Sequence, residues 1–125
     1  MNIRLALLLP AFLLAAASAQ AQINPFRHSQ NAPPLVDSDL AMLEQAGQKL
    51  LTDEAPAPGA SQVWQNDATG AGGTITYVGP TKRKVAGTTY ACRKVNYSVT
   101  VKTRHTPRTT SVAWCHQADG SWKIN

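Results

Sequence analysis

Apolar and polar positions alternate most regularly over residues 95–101, where Val95, Tyr97, Val99 and Val101 interleave with Asn96, Ser98 and Thr100. A period of two is the signature of a strand with one buried and one wet face. Val112 and Trp114 alternate in the same way with Ser111, Ala113 and Cys115. An antiparallel hairpin that sets Cys92 opposite Cys115 also sets Val95 opposite Val112, Tyr97 opposite Thr110 and Arg93 opposite Trp114, so the apolar residues of both stretches share a face. Pro107 would fall beside Thr100 without a donor, which predicts an irregular tip over 103–108.

The rest of the chain divides by the same criterion. Residues 22–37 hold three prolines and no periodicity, and read as an extended, disordered tail. Residues 38–51 place Leu40, Leu43, Leu50 and Leu51 on one helical face, with Asp37, Ser38 and Asp39 supplying an N-cap and first-turn acids; Gly47 weakens that helix. Two prolines and a glycine make 52–60 a linker. Strands are predicted near 62–65, 73–78, 90–102, 109–116 and 121–125, with the glycine-rich stretch 69–73 read as a turn. In the closing QADGS turn, a three-residue loop with Gly120 in the left-handed region places Trp122 and Ile124 beside Trp114, and is preferred to a two-residue turn that would place them beside Cys115. The predicted fold is α+β: a small antiparallel sheet of four or five strands with one amphipathic helix packed on one face.

The first residues change the picture of where such a domain works. Arg4 is followed by an uncharged, mainly apolar run from Leu5 to Ala17 and by two small-x-small sites, which predicts a signal peptide over 1–21, cleaved after Ala19 or Ala21. That run is too short to span a bilayer, and no other stretch is a membrane-span candidate, so the mature chain is expected to lack a transmembrane segment. The two cysteines of an exported chain predict one disulfide, Cys92–Cys115. Because neighbours in a strand point to opposite faces, His116 is poorly placed to activate Cys115. The histidines at 28, 105 and 116 have no metal-ligand spacing, and no catalytic or phosphate-cradling motif occurs. No cofactor or metal is expected.

Charge is divided along the chain. Residues 60–125 carry nine Lys/Arg against two acids, whereas 22–59 carry two against five. Lys82, Arg83 and Lys84 read as an exposed basic loop, and with Arg93, Lys94, Lys102, Arg104 and Arg108 they define a basic surface for an anionic partner. Export argues against nucleic acid and for an anionic envelope component or an envelope protein.

Three stretches carry a resemblance. VWQNDATGAGGTIT supplies Trp64, Asn66, Thr69, Gly70 and Gly73; YACRKV supplies Cys92 and Arg93; CHQADGSWKI supplies Cys115, Asp119, Gly120, Ser121, Trp122 and Ile124. Together they resemble the C-terminal domain of the bacterial surface antigen family typified by the rickettsial outer-membrane surface antigen, over roughly residues 38–125. The chain lacks that family's lipid-attached cysteine and glycine zipper. The resemblance implies an envelope module, with outer-membrane association, and brings no enzymatic activity. The reading is a non-enzymatic exported protein of the periplasm or cell envelope. An exported inhibitor or immunity-like protein is the alternative, and a thiol enzyme or redox protein, which needs a free thiol, is a third.

Overall fold

The structure, a computed structural model, describes residues 23–124. The predicted signal peptide and its cleavage sites lie outside the described residues. One helix, α1 (Asp37–Gln48), precedes five strands, β1 (Ser61–Asn66), β2 (Ala71–Val85), β3 (Thr88–Val101), β4 (Arg104–His116) and β5 (Trp122–Ile124). The strands form one antiparallel meander in chain order.

The register anticipated from alternation is the one observed. Cys92 pairs with Cys115, Arg93 with Trp114, Val95 with Val112 and Tyr97 with Thr110. The Cys92 and Cys115 Cα atoms stand 4.0 Å apart, a separation that marks a non-hydrogen-bonded pair. Hydrogen-bonded and non-hydrogen-bonded pairs alternate, so this one assignment fixes the direction of the backbone groups over the continuous ladder from Cys92–Cys115 to Val99–Arg108. It also explains Pro80. Across from Cys92, Thr81 is in a hydrogen-bonded pair, so Pro80, opposite Arg93, directs its nitrogen to an open edge where no donor is needed.

Three elements differ markedly from the sequence reading in length. The strand expected to stop at residue 78 continues to Val85, because a bulge between Tyr77 and Gly79 resets the pairing and the ribbon then runs to a turn at Ala86-Gly87. Both turn residues have positive φ, 48° and 84°, which is the geometry that suits the twist of a two-residue hairpin. The basic segment 82–84 is therefore strand and not loop. At the other end, β4 begins at Arg104, inside the tip expected to be irregular. Pro107 is accommodated by a bulge between the Val99–Arg108 and Val101–Arg104 pairs. The helix ends at Gln48 and not at residue 51; Leu50 and Leu51 follow in a turn whose amides donate to the Gly47 and Gln48 carbonyls.

Residues 23–36 are not a free tail. Phe26 is completely buried and joins Leu43, Ala46, Leu50 and Leu51 in one core with Trp64, Ile75, Tyr77, Val95, Tyr97, Val99 and Trp114. Asn24 holds the entry, its Oδ1 accepting the Phe26 amide and its carbonyl the Arg27 amide. Nothing in the local pattern marks Phe26, since a single aromatic between prolines has no period. The opposite sheet face carries Thr74, Thr76, Asn96, Ser98, Thr109 and Ser111, half-buried or exposed, and a separate small cluster of Cys92, Ala113 and Cys115 with Tyr90 against it. The closing loop has the three-residue form: the Gln117 amide donates to the Ser121 carbonyl, Gly120 has φ 86°, and Trp122 and Ile124 pair with His116 and Trp114.

Candidate functional site

Arg93 belongs to the interior. Its register position opposite Trp114 already turns the side chain toward the core face, and the residue is 7 % exposed. Nη1 donates to the Leu50 and Thr52 carbonyls at 3.0 and 2.6 Å, and Nη2 to the Asp53 carbonyl at 3.3 Å. All three carbonyls lie in the turn and bend just beyond the end of α1. The guanidinium carbon sits 4.4 Å from the centre of the Trp122 ring, within cation–π range. The planar guanidinium fork spreads its donors widely enough to reach all three carbonyls from one side chain. Arg93 is thus a clasp between the helix end and the sheet, and is corrected from a surface cation to a structural one.

The remaining cations do not form one patch. Lys82, Arg83 and Lys84 lie exposed at the β2–β3 hairpin end, paired with Ala91, Tyr90 and Thr89. Lys102 and Arg104 lie exposed at the far end of β3, in and after the β3–β4 turn. The 14 residues of β3 put roughly 45 Å between these ends, several Debye lengths at physiological salt. Lys94 is exposed between them, on the face of Cys92. Arg108 is half-buried, and its enclosed Nε has no partner among the described residues.

Cys92 and Cys115 are joined as predicted, and no free cysteine remains. His116 packs edge-on against Trp122, ring centres 4.9 Å apart, on the face away from the disulfide. Among the described residues no group of three or more His, Cys, Asp or Glu is placed to hold a metal ion, and no helix is long and apolar enough to cross a membrane.

A buried polar knot was not anticipated. Asp39, 1 % exposed, accepts hydrogen bonds at Oδ1 from Asn66 Nδ2 (2.7 Å) and Thr69 Oγ1 (2.6 Å), and at Oδ2 from the Val36 amide (3.1 Å). Burial raises its pKa, but the bonds from Thr69, Val36 and Asn66 together outweigh burial and hold the carboxyl below its ordinary value. The sequence shows Asp39 only as a first-turn acid; its partners come from the β1–β2 turn some thirty residues on, a separation with no local signal. A second buried polar contact lies under the sheet, where Trp114 Nε1 donates to Tyr97 Oη at 2.8 Å. Burial pushes the Tyr97 hydroxyl up to about 12, against the opposing effect of the Trp114 bond.

These contacts account for most of the quoted motif residues. Asn66 and Thr69 hold Asp39, Gly70 has φ 74°, and a Cβ at Gly73 would fall on the Ser98 carbonyl oxygen. Arg93 and Trp122 form the clasp, and Asp119 Oδ1 accepts from both the amide and the hydroxyl of Ser121 to shape the last loop. No protein-family model, curated protein or solved structure matches the chain.

Beside β4 lies a cleft of about 740 Å³, bounded by Ile23–Ser29 on one side and by Thr110–Val112, Lys123 and Ile124 on the other. It holds Arg27, His28 and Lys123 and, among the described residues, no acid. Sequence reasoning could not find it, because one wall comes from the segment read as a tail.

Proposed function

We propose that this protein is a non-enzymatic exported module of the cell envelope, a surface-antigen-like domain that contacts an anionic envelope component through the basic end of its β2–β3 hairpin. The observation that carries the reading is the exposure of every residue from Lys82 to Thr89, which presents Lys82, Arg83 and Lys84 on a ribbon with no acidic residue among them. Both thiols are consumed by the Cys92–Cys115 bond, which supports a binding role over thiol chemistry. A disulfide also suits an oxidising compartment. In this reading α1 covers one face of the sheet, supported by the core that Leu43 and Ala46 share with Trp64 and Ile75, and the motif residues of the surface-antigen family serve as the joints of the domain.

The test replaces Lys82, Arg83 and Lys84 with glutamine and measures co-sedimentation with bacterial envelope fractions at low and high salt. The expected result is weaker recovery of the variant at low salt and equal, low recovery of both at high salt. Equal recovery of both proteins at low salt would remove the hairpin as the contact.

A further inference from the structure

The β4 strand has a neighbour on one side only for most of its length. β5 covers just Trp114, Cys115 and His116. From Arg104 to Val112, no backbone group of β4 has a hydrogen-bond partner outside β3 among the described residues. The direction of the free groups follows from the ladder. With Cys92–Cys115 a non-hydrogen-bonded pair, Cys115 bonds toward β5, and the Gln117 amide two residues on bonds to Ser121 across the same gap. Ser111 and Thr109, further along in the same alternation, therefore turn both N–H and C=O outward.

Of these, Ser111 lies on the wall of the cleft, and Thr109 continues the same open edge just beyond it. Its walls supply an apolar floor from Ile23, Pro25, Val112 and Ile124, with Arg27 and Lys123 exposed at its rim. Proteins usually guard an open edge with proline, charge or a bulge. β4 has all three guards at its beginning, in Arg104, Pro107 and the bulge opposite Thr100, and none of them over Thr109–Val112. The unguarded stretch is the one beside the cleft.

We propose that this edge is a docking site for an extended, acidic peptide segment of another protein, which adds a strand beside β4 at Thr109 and Ser111. Main-chain hydrogen bonds to Thr109 and Ser111 supply the pairing, one side-chain row rests on the apolar floor, and carboxylates meet Arg27 and Lys123. Charge selects the occupant: a second copy would bring Arg104, Arg108 and Lys123 against the same residues, whereas an acidic strand neutralises the rim. The site is separate from the hairpin residues Lys82, Arg83 and Lys84, and its test does not involve them.

The probe is a fluorescein-labelled hexapeptide alternating valine and glutamate, compared with its valine–lysine counterpart, titrated against the oxidised protein. The expected result is salt-sensitive binding of the acidic peptide, with amide NMR shifts concentrated at Thr109, Ser111 and Lys123. Ser111→Pro removes the outward donor and should weaken binding about tenfold or more, whereas Ser111→Ala, which keeps the amide, should bind as the wild type does. Arg27→Glu with Lys123→Glu should reverse the preference between the two peptides, and serves as the arbiter where Ser111→Pro does not fold. Lack of binding by the wild type, equal binding of both peptides, or self-association that Ser111→Pro abolishes each overturns the proposal, the last by making a second copy the occupant. Substituting Lys82, Arg83 and Lys84 should leave peptide binding intact, so failure at one surface is distinguishable from failure at the other.

Discussion

Arg93 reaches from β3 to the turn after α1 and lies with its guanidinium carbon 4.4 Å from the Trp122 ring centre, joining three distant parts of the chain through one side chain. Among the described residues no carboxylate takes part. The charge is balanced by the Leu50, Thr52 and Asp53 carbonyls and by an aromatic face. Lysine cannot reproduce that, since its ammonium has no planar fork and stacks poorly. Arg93→Lys is expected to cost about 2 kcal/mol and Arg93→Ala about 3 kcal/mol, from lost charged hydrogen bonds and carbonyls left without a donor. Urea unfolding monitored by tryptophan fluorescence gives both values. A change below half a kilocalorie for the alanine variant is incompatible with the clasp.

Asp39 predicts an acid-sensitive fold. Its carboxyl is held below the usual value in the folded state, so the stability it adds is fully present above the unfolded-state pKa, near 4, and is lost as pH falls through the lower folded-state value. Asp39→Asn keeps the shape but, with its oxygen toward Asn66 and Thr69, sets an NH2 donor against the Val36 amide donor and removes the charge. That variant should be less stable by about 2 kcal/mol at pH 7, with the difference narrowing toward pH 2. A difference that stays constant from pH 7 to pH 2 would show that ionisation of Asp39 contributes nothing.

Gly47 lies in the last turn of α1, and a Cβ there would sit 3.5 Å from Tyr97 Oη and 3.9 Å from Ile75 Cδ1. These are ordinary contact distances, and its φ is not positive. Gly47→Ala should therefore stabilise the protein, by about 0.5–1 kcal/mol through helix propensity. Gly73→Ala is the contrasting case, because its Cβ has no room against the Ser98 backbone. Thermal unfolding should move upward for the first variant and downward for the second; movement in the same direction contradicts the close approach of β2 and β3.

The residues behind these predictions show where sequence reasoning reaches its limit. The pair of cysteines in a chain read as exported suggests the disulfide, and alternation over Val95–Val101 and Val112–Trp114 agrees with the register it sets and with the side of the sheet that receives Trp122 and Ile124, because one face is buried and a one-residue slip would expose all of it. The same register places Arg93 inward, yet its charge alone suggests surface; only the carbonyls of Leu50, Thr52 and Asp53 explain how it is buried. The outer half of the β2–β3 ribbon, from Gly79 to Thr89, buries no side chain. Without a buried face there is no period to read, so a strand resembled a loop. Phe26, the Asp39 knot and the β4 cleft depend on contacts between segments far apart in the chain, and local pattern carries no trace of them.

The disulfide gives the last prediction. Cys92 and Cys115 close a loop with a sequence separation of 23, for which the chain-entropy relation gives about 3 kcal/mol of stabilisation. The bond lies on the sheet face opposite the main core, in its own small cluster with Ala113. The register beneath it is held independently by Val95–Val112 and by the Tyr97–Trp114 hydrogen bond. Cys92→Ser with Cys115→Ser should therefore remain folded, with a native-like near-ultraviolet spectrum, while unfolding at lower denaturant. Two opposite results would each be informative. Loss of the folded spectrum would make the bond a condition of the fold, and an unchanged midpoint would mean that the paired strands are already ordered in the unfolded reduced chain. The predicted intermediate outcome follows from a hairpin whose register is set by burial and whose ends are held by a covalent bond.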